Sequence, residues 1–292
     1  MVESGPQGAG AGCRFRGVGE HRAGDAARDH GLAPVLDLTR RPARPPVSPH
    51  RVEALSLDAW PTLRQQDYDG WLLRFARGYT RRANSVNPQR RGRLALDDKL
   101  AACERAYRAE GLKLVFRIPS IAEEAELDEA LAARGYEKAD TTGVRLLDLA
   151  GFDASAADPA LAAPLSDAWL AALARFNAMT VSQQATHRAI LGALAEPARF
   201  AAVEDAGAIA SVAFAVLQDG FVCLNSIATD AAKRRRGHAH RAIAALLAWA
   251  KQQGAAYAYL PVVKTNHPGL ALYNGLGFRT ELYRYHYRSR PA

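Results

Sequence analysis

The sequence predicts an α/β protein built from two copies of one unit. Three observations carry that expectation. Strand-like and helix-like stretches alternate from about residue 51 to the C-terminus, with glycines where helices should stop. Short motifs recur at a nearly constant spacing. Asn84-Ser85-Val86 parallels Asn225-Ser226-Ile227, Gly111 parallels Gly254, and Leu131…Gly135-Tyr136 parallels Tyr273…Gly277-Phe278, at offsets of 141, 143 and 142. One such match could be chance, but three in the same order of elements argue for a repeat. The composition is that of a globular chain, 49% hydrophobic and 23% charged over 292 residues, and that length fits two domains.

Residues 1–50 stand apart. They hold eight Gly, six Pro and no Lys, without an apolar period. Such a stretch buries too little apolar surface to offset its ordering entropy, so a disordered tail or a mis-set start is expected there. It lacks the apolar core of a secretory signal, and Glu3, Glu20, Asp25, Asp29 and Asp37 argue against a transit peptide. A first unit is expected over 51–150. It begins with a helix over 52–66 around Leu55, Leu57 and Trp60. Strands over 70–75 and 79–86 flank a turn at Gly78. A helix over 96–110 follows, with Leu100, Cys103 and Tyr107 on one face and Asp97 or Asp98 as cap. Then come a strand over 113–118, a helix over 121–133 ending at Gly135, and a strand over 144–149. Residues 151–164, with Gly151, Pro159 and many small residues, read as a linker.

The second unit is expected over 165–292. It opens with helices over 165–179, capped by Ser166, and 183–194. Strands over 200–204, 208–217 and 221–229 follow, the last two joined by the hairpin signal Asp219-Gly220. After a helix over 237–252 come a strand over 256–263, a short helix over 268–276 and a closing strand over 278–288. The closing strand places Tyr283, Tyr285 and Tyr287 on one face.

Charge and cysteine usage narrow the function. Thirty-eight basic against 30 acidic residues give a net charge of +8. That excess permits a polyanionic partner without identifying one. The longest purely apolar run, Ala242–Ala250, has nine residues, against about 20 for a membrane span. Cys13, Cys103 and Cys223 are far apart and form no CxxC pair, which speaks for reduced thiols in the cytoplasm rather than a disulfide framework or a zinc site. His238 and His240 lie two apart on a helix and share no face, so no metal site is expected.

The chemistry concentrates in Ile227-Ala228-Thr229-Asp230-Ala231-Ala232-Lys233-Arg234-Arg235-Arg236-Gly237-His238-Ala239-His240. A strand ends, a basic turn follows, and an Ala-rich helix begins. Backbone N–H groups at a helix start have no internal partner, and with the positive end of the helix dipole they form an anion site. Gly237 removes a Cβ where a phosphate must come close, and Ala239 keeps the first turn slim. Taken alone, the charge run also fits a solvated basic turn. The strand-to-helix placement favours a pyrophosphate cradle.

Arg234-x-x-Gly237-x-Ala239 after a strand resembles the Q/R-x-x-G-x-G/A acyl-CoA signature of the GNAT acetyltransferase superfamily. Asn266-His-Pro-Gly-Leu-Ala-Leu-Tyr273-Asn-Gly-Leu-Gly277-Phe278 resembles that family's N…LY..LGF segment. The order and spacing also match, over about residues 165–290. The whole resembles a tandem GNAT protein. The resemblance implies that each unit is a mixed, mostly antiparallel twisted sheet flanked by helices. It implies acetyl-CoA as donor and a small-molecule or peptide amine as acceptor, attacked directly in a ternary complex, without metal, nucleic acid or membrane. Strand 225–229 would splay from its neighbour, with an N–H among Ile227, Ala228 and Thr229 polarising the thioester carbonyl. Arg234, Arg235, Arg236, Gly237, His238 and Ala239 would hold the pyrophosphate, Asn266 would contact the cofactor, and Tyr273 would protonate the departing thiolate.

The first copy departs from this pattern. Leu131 stands where the second copy has Tyr273, and Gln89-Arg-Arg-Gly92-Arg-Leu94 carries Leu in place of the final small residue. No productive CoA site is expected there. No acidic residue lies on 221–229 to serve as general base, which leaves Asp230, Glu204, His238 and His286 as candidates. Two other readings stand beside the enzyme. One is a non-catalytic acyl-CoA-binding or regulatory module. The other is nucleic-acid binding through Lys233–Arg236 and Arg81, Arg82, Arg90, Arg91 and Arg93, which lack interleaved aromatics.

Overall fold

A computed structural model of the chain describes residues 44–195 and 197–291. The expectations for residues 1–43, Cys13 included, lie outside the described residues. Ser48 caps α1 (Pro49–Asp58) by accepting the N–H of Arg51. The helix ends earlier than its apolar pattern predicts, because Trp60 precedes Pro61 and a residue before proline avoids the helical region. The polar run Arg64–Tyr68 then forms an edge strand, β1, which has no apolar alternation to betray it. Asp69 and Gly70, both at positive φ, turn it tightly into β2 (Trp71–Phe75). After β3 (Val86–Pro88) come α2 (Leu96–Ala109), β4 (Phe116–Pro119), α3 (Leu127–Ala133) and β5 (Glu137–Asp148). Neither Asp97 nor Asp98 caps α2, whose N-cap is Ala95. β5 starts well before its apolar part because its polar first residues find partners on the last strand of the chain.

The C-terminal half runs β6 (Ala162–Ala163), α4 (Asp167–Phe176), α5 (Val181–Gly192), β7 (Ala198–Asp205), β8 (Ala208–Gln218), β9 (Phe221–Thr229), α6 (His238–Gln252), β10 (Tyr257–Val263), α7 (His267–Gly275) and β11 (Thr280–Ser289). Ser166 caps α4 as expected, and Thr180 with Gln183 forms a capping box on α5.

All eleven strands join one continuous mixed sheet, in the order β1-β2-β3-β4-β11-β5-β10-β9-β8-β7-β6. The two halves exchange their last strands. β5 lies antiparallel against β10 of the C-terminal half, and β11 lies antiparallel against β4 of the N-terminal half, with β5 and β11 paired to each other. On either side of this exchange a short parallel pair follows, β3 with β4 and β9 with β10.

Packing follows strand alternation. Val212, Phe214 and Val216 of β8 face α1, α4 and α5, while Ala213 and Ala215 face Ile243, Leu246 and Leu247 of α6. α2 and α3 cover β2 to β4 through Leu100, Cys103, Tyr107 and Leu131. A buried ion pair pins α1 to the exchange. Arg117 of β4 forks onto both carboxylate oxygens of Glu53, and Tyr283 of β11 donates to Glu53 Oε2 at 2.6 Å. Burial alone would raise the Glu53 carboxyl. Arg117, Tyr283 and Arg74 outweigh it and hold that carboxyl below the usual range.

Candidate functional site

The site begins where β9 leaves β10. The two strands pair only from Phe221 to Cys223, while β10 continues along β5 to Val263. Beyond Cys223 a gap therefore opens between 224–229 and 260–263. A bulge sharpens it. Two residues of β9, Ser226 and Ile227, stand opposite the single Ala213 of β8, and Ser226 takes a left-handed φ of 47°.

Two cavities use this gap. One, of about 720 Å³, is lined by 227–229, Arg234, Arg235, 237–240, Asn266 and Tyr273, and at its rim by Phe176 and Asn177. The other, of about 460 Å³, is lined by Thr80, Arg81, Arg82, Asp140, Asn225, Tyr285 and Tyr287. Both are lined by Ile227 and Tyr273.

Asp230 caps the start of the basic turn, and a second acid gathers its side chains. Asp205 at the end of β7 accepts Lys233 Nζ on its carbonyl, lies 3.3 Å from Arg236 Nη1, and lies 3.5 Å from His238 Nε2. Arg236 is thereby drawn away, so it is the one residue of the predicted set whose side chain does not line the larger cavity. Arg234 and Arg235 do line it. Arg235 and Gly237 have φ of 65° and 81°, a bend that fans successive N–H groups into a concave anion nest. Gly237 is the N-cap of α6 without a side-chain acceptor, and a Cβ built on it would meet nothing within 4 Å. The space beside these amides is open, so the residues present fit a pyrophosphate.

The strand-to-helix loop 89–94 of the N-terminal half is filled by the chain itself. Arg91 N donates to Glu123 (3.2 Å), Gly92 N to Glu124 (3.2 Å), and Arg93 N and Leu94 N to Asp69 (2.9 Å each). A Cβ on Gly92 would lie 2.0 Å from Asp69 Oδ2. Lys99, buried over the Trp71 ring, reaches Glu124 at 3.4 Å and Asp69 at 3.6 Å and neutralises the cluster.

Asn266 accepts the N–H of Gly269 on Oδ1 and so caps α7, which fixes its amide at the cavity wall. Tyr273 follows two turns later, packed edge-on against Phe278. Burial pushes its phenol up to about 12, so it stays protonated throughout the neutral range. The four candidate bases do not reach the smaller cavity. His238 belongs to the cradle, Asp230 caps the turn at 231–233, Glu204 is exposed on β7, and His286 binds Asp128 of α3 at 2.7 Å. Among the described residues the carboxylate lining that cavity is Asp140, held by Arg81 and at a left-handed φ of 50°. Sequence reasoning missed it, and placed Arg81 and Arg82 in a nucleic-acid patch. Their meeting depends on the strand exchange, which no local pattern announces. Trp169 of α4 and His187 of α5 are buried in the core.

Among the described residues no cluster of His, Cys, Asp and Glu could hold a metal ion, and no helix is long and apolar enough to cross a membrane.

A family model described as probable histone acetyltransferase Rv0428c, C-terminal, matches residues 50–289. The chain belongs to this family. It is also 28% identical over 243 residues to the uncharacterized N-acetyltransferase YobR of Bacillus subtilis, covering 82% of this chain and 97% of that one. A GCN5-related N-acetyltransferase from Kribbella flavida shares the fold at a TM-score of 0.59 and 15% identity, covering 83% of this chain and 95% of that one. A tandem GNAT protein from the clavulanic acid biosynthesis pathway does so at 0.54 and 15%, covering 86% and 91%. The family assignment makes the chain a GNAT acetyltransferase with an α/β fold, and it agrees with the signature read around Arg234–Ala239 and Asn266–Phe278.

Proposed function

We propose that the chain transfers an acetyl group from acetyl-CoA to a primary amine by direct attack in a ternary complex. One observation carries this reading. A cavity with an anion cradle and a cavity with polar and charged walls meet at Ile227 and Tyr273. A donor entering from one side and an amine from the other would come together at that junction.

Acetyl-CoA supplies an activated acyl group; the chain supplies its placement. The N–H groups of Arg234 to Ala239 hold the pyrophosphate, with Arg234 and Arg235 adding charge. Asn266 presents its amide to the same ligand. The free edge of Ile227, Ala228 and Thr229 binds the pantetheine arm, and one N–H there polarises the thioester carbonyl. Tyr273 donates its proton toward the leaving sulfur. Its raised pKa makes it a hydrogen-bond donor throughout the neutral range, and the transfer completes only as charge builds on the sulfur. Asp140 is placed to receive the proton of the acceptor ammonium, directly or through water.

The repeat and the strand exchange support a further part of the reading. The chain is two GNAT-like units, 51–150 and 165–292 with a linker at 151–164. The N-terminal unit has lost its donor site, since its loop amides are already bonded to Asp69, Glu123 and Glu124.

Calorimetric titration of acetyl-CoA, followed by thiol release with an amine panel, tests the proposal. One site per chain and amine-dependent release are expected. Binding without turnover on any amine would make the protein a regulatory acyl-CoA module, and two sites would return a function to the N-terminal loop.

A further inference from the structure

The smaller cavity carries an unbalanced charge. Its walls hold two guanidinium groups, Arg81 and Arg82, and one carboxylate, Asp140. Arg81 is spent on Asp140 and also covers the Tyr287 ring. Arg82 has no carboxylate partner among the described residues. It is nonetheless held in place. Its Nη2 donates to Asn225 Oδ1 at 2.7 Å, and its guanidinium lies 4.6 Å over the Trp60 ring. One of five N–H donors is thus used, and the planar fork is fixed from two sides before any ligand arrives.

The floor beneath adds to the imbalance. Arg74 is buried, with Nη1 and Nη2 bonded to the carbonyls of Leu57, Trp60 and Arg82 and Nε without a partner among the described residues. Burial first, then the like charges of Arg117 and Arg82, bring Arg74 down to about 10. Arg117 is taken up by Glu53. Asp58 and Glu53 oppose part of this charge at Arg74, but Arg82 itself pairs with no carboxylate among the described residues, so the cavity favours an anion. Asn225 lies two residues before Ile227 on the bulged strand, so Arg82 is tied to the segment that forms the junction of the two cavities.

Resting on the acetyltransferase reading, we infer that the acceptor is a small amine that also bears a carboxylate, and that Arg82 is the residue that reads it. A single free guanidinium fork matches one carboxylate in two parallel hydrogen bonds. Asp140, in the same cavity, offers the opposite charge to the ammonium end. The cavity volume of about 460 Å³ falls within the range of small-molecule sites. A lysine-rich peptide would instead bring positive charge against Arg82.

The experiment uses matched acceptors: a panel of amino acids, each beside its own carboxamide, and one lysine-rich peptide. Thiol release by the full chain is read as kcat/KM. The carboxylates should lead their carboxamides by about 10- to 100-fold, the worth of a charged hydrogen-bonded pair. Arg82→Gln should bring that ratio to within about twofold, and Arg82→Lys should restore part of it, because charge returns without the fork. Acetyl-CoA affinity, measured calorimetrically, should stay unchanged in both variants, which also shows that they fold. Equal turnover of carboxamides, preference for the peptide, or a ratio that survives Arg82→Gln would each overturn the inference. If no amine is turned over, the same pairs are titrated against the CoA-saturated protein, where carboxylate-selective binding lost in Arg82→Gln supports the assignment and its absence sinks it. Failure to bind acetyl-CoA at all would count against the enzyme reading alone, since the carboxylate titration can be run on the free protein.

Discussion

The loop at 89–94 and the turn at 233–240 each follow a strand and lead into a helix, yet they have opposite fates. In the first, backbone amides donate to Asp69, Glu123 and Glu124, and Lys99 balances the acids. In the second, Asp205 takes the side chains of Lys233 and Arg236 and the Asp230 carboxylate bonds to the preceding turn at Ala232, which leaves the amides at the start of α6 open. A cluster of outward N–H groups is therefore not a ligand site by itself. It is one only where the chain supplies no anion of its own. The helices that follow differ too: Leu131 of α3 is buried in the core, whereas Tyr273 of α7 lines two cavities and carries a hydroxyl.

The largest test of the comparison removes that hydroxyl. Tyr273→Phe should lower kcat by about 10²- to 10⁴-fold, the usual worth of a positioned proton donor, with acetyl-CoA affinity unchanged. Undiminished turnover would leave Tyr273 as packing and make the two halves alike. Next comes the joint that both halves share. Glu53→Ala strands the buried Arg117 and should cost about 3–5 kcal/mol in denaturant unfolding. The sign with pH follows from the depressed carboxyl. Its stabilisation is fully present above the ordinary carboxylate value, about 4.3, and is lost as pH falls through the lower folded value. The acid limb of the stability curve should flatten in the variant, and an unchanged limb would remove Glu53 as its source.

The comparison can also be made to run backwards. Gly237→Asp writes an acid into the open turn at a position whose φ of 81° Asp tolerates better than most residues. It should weaken acetyl-CoA binding by about 30- to 100-fold, as a fixed anion occupies the cradle. Affinity equal to wild type would mean that the pyrophosphate lies elsewhere. The smallest effect is expected from Glu124→Gln, which deprives Gly92 N and Lys99 of a charged acceptor. A loss of about 1–3 kcal/mol in stability is expected, with calorimetric stoichiometry still one per chain. A second binding event would show that acids alone had closed the first loop.

Much of this was legible in the sequence where local chemistry decides. The basic turn leading into α6 follows from residue types at fixed spacing, whereas the splay of 225–229 and the parts given to Asn266 and Tyr273 came from the resemblance to the GNAT family. The Asp219-Gly220 hairpin and the Ser166 cap were readable from residue types too. β1 was not, because Arg64–Tyr68 is polar throughout and is held by its partner strand rather than by burial. Asp140 and Arg82 were not, because they reach the cavity through long-range topology. Arg82 reads locally as part of a basic cluster; only the pairing of β5 and β11 shows what it faces.

That pairing has a consequence for how the chain comes into being. β4 waits for β11 as its neighbour, and β11 follows the other ten described strands in the chain. Until β11 has emerged from the ribosome, the N-terminal half carries an unpaired sheet edge, and β5 lacks one of its two partners. Pairing across so much sequence is slow to form, so the sheet should close late rather than half by half. A ribosome stalled before Thr280 would hold a chain whose smaller cavity still lacks Tyr285 and Tyr287.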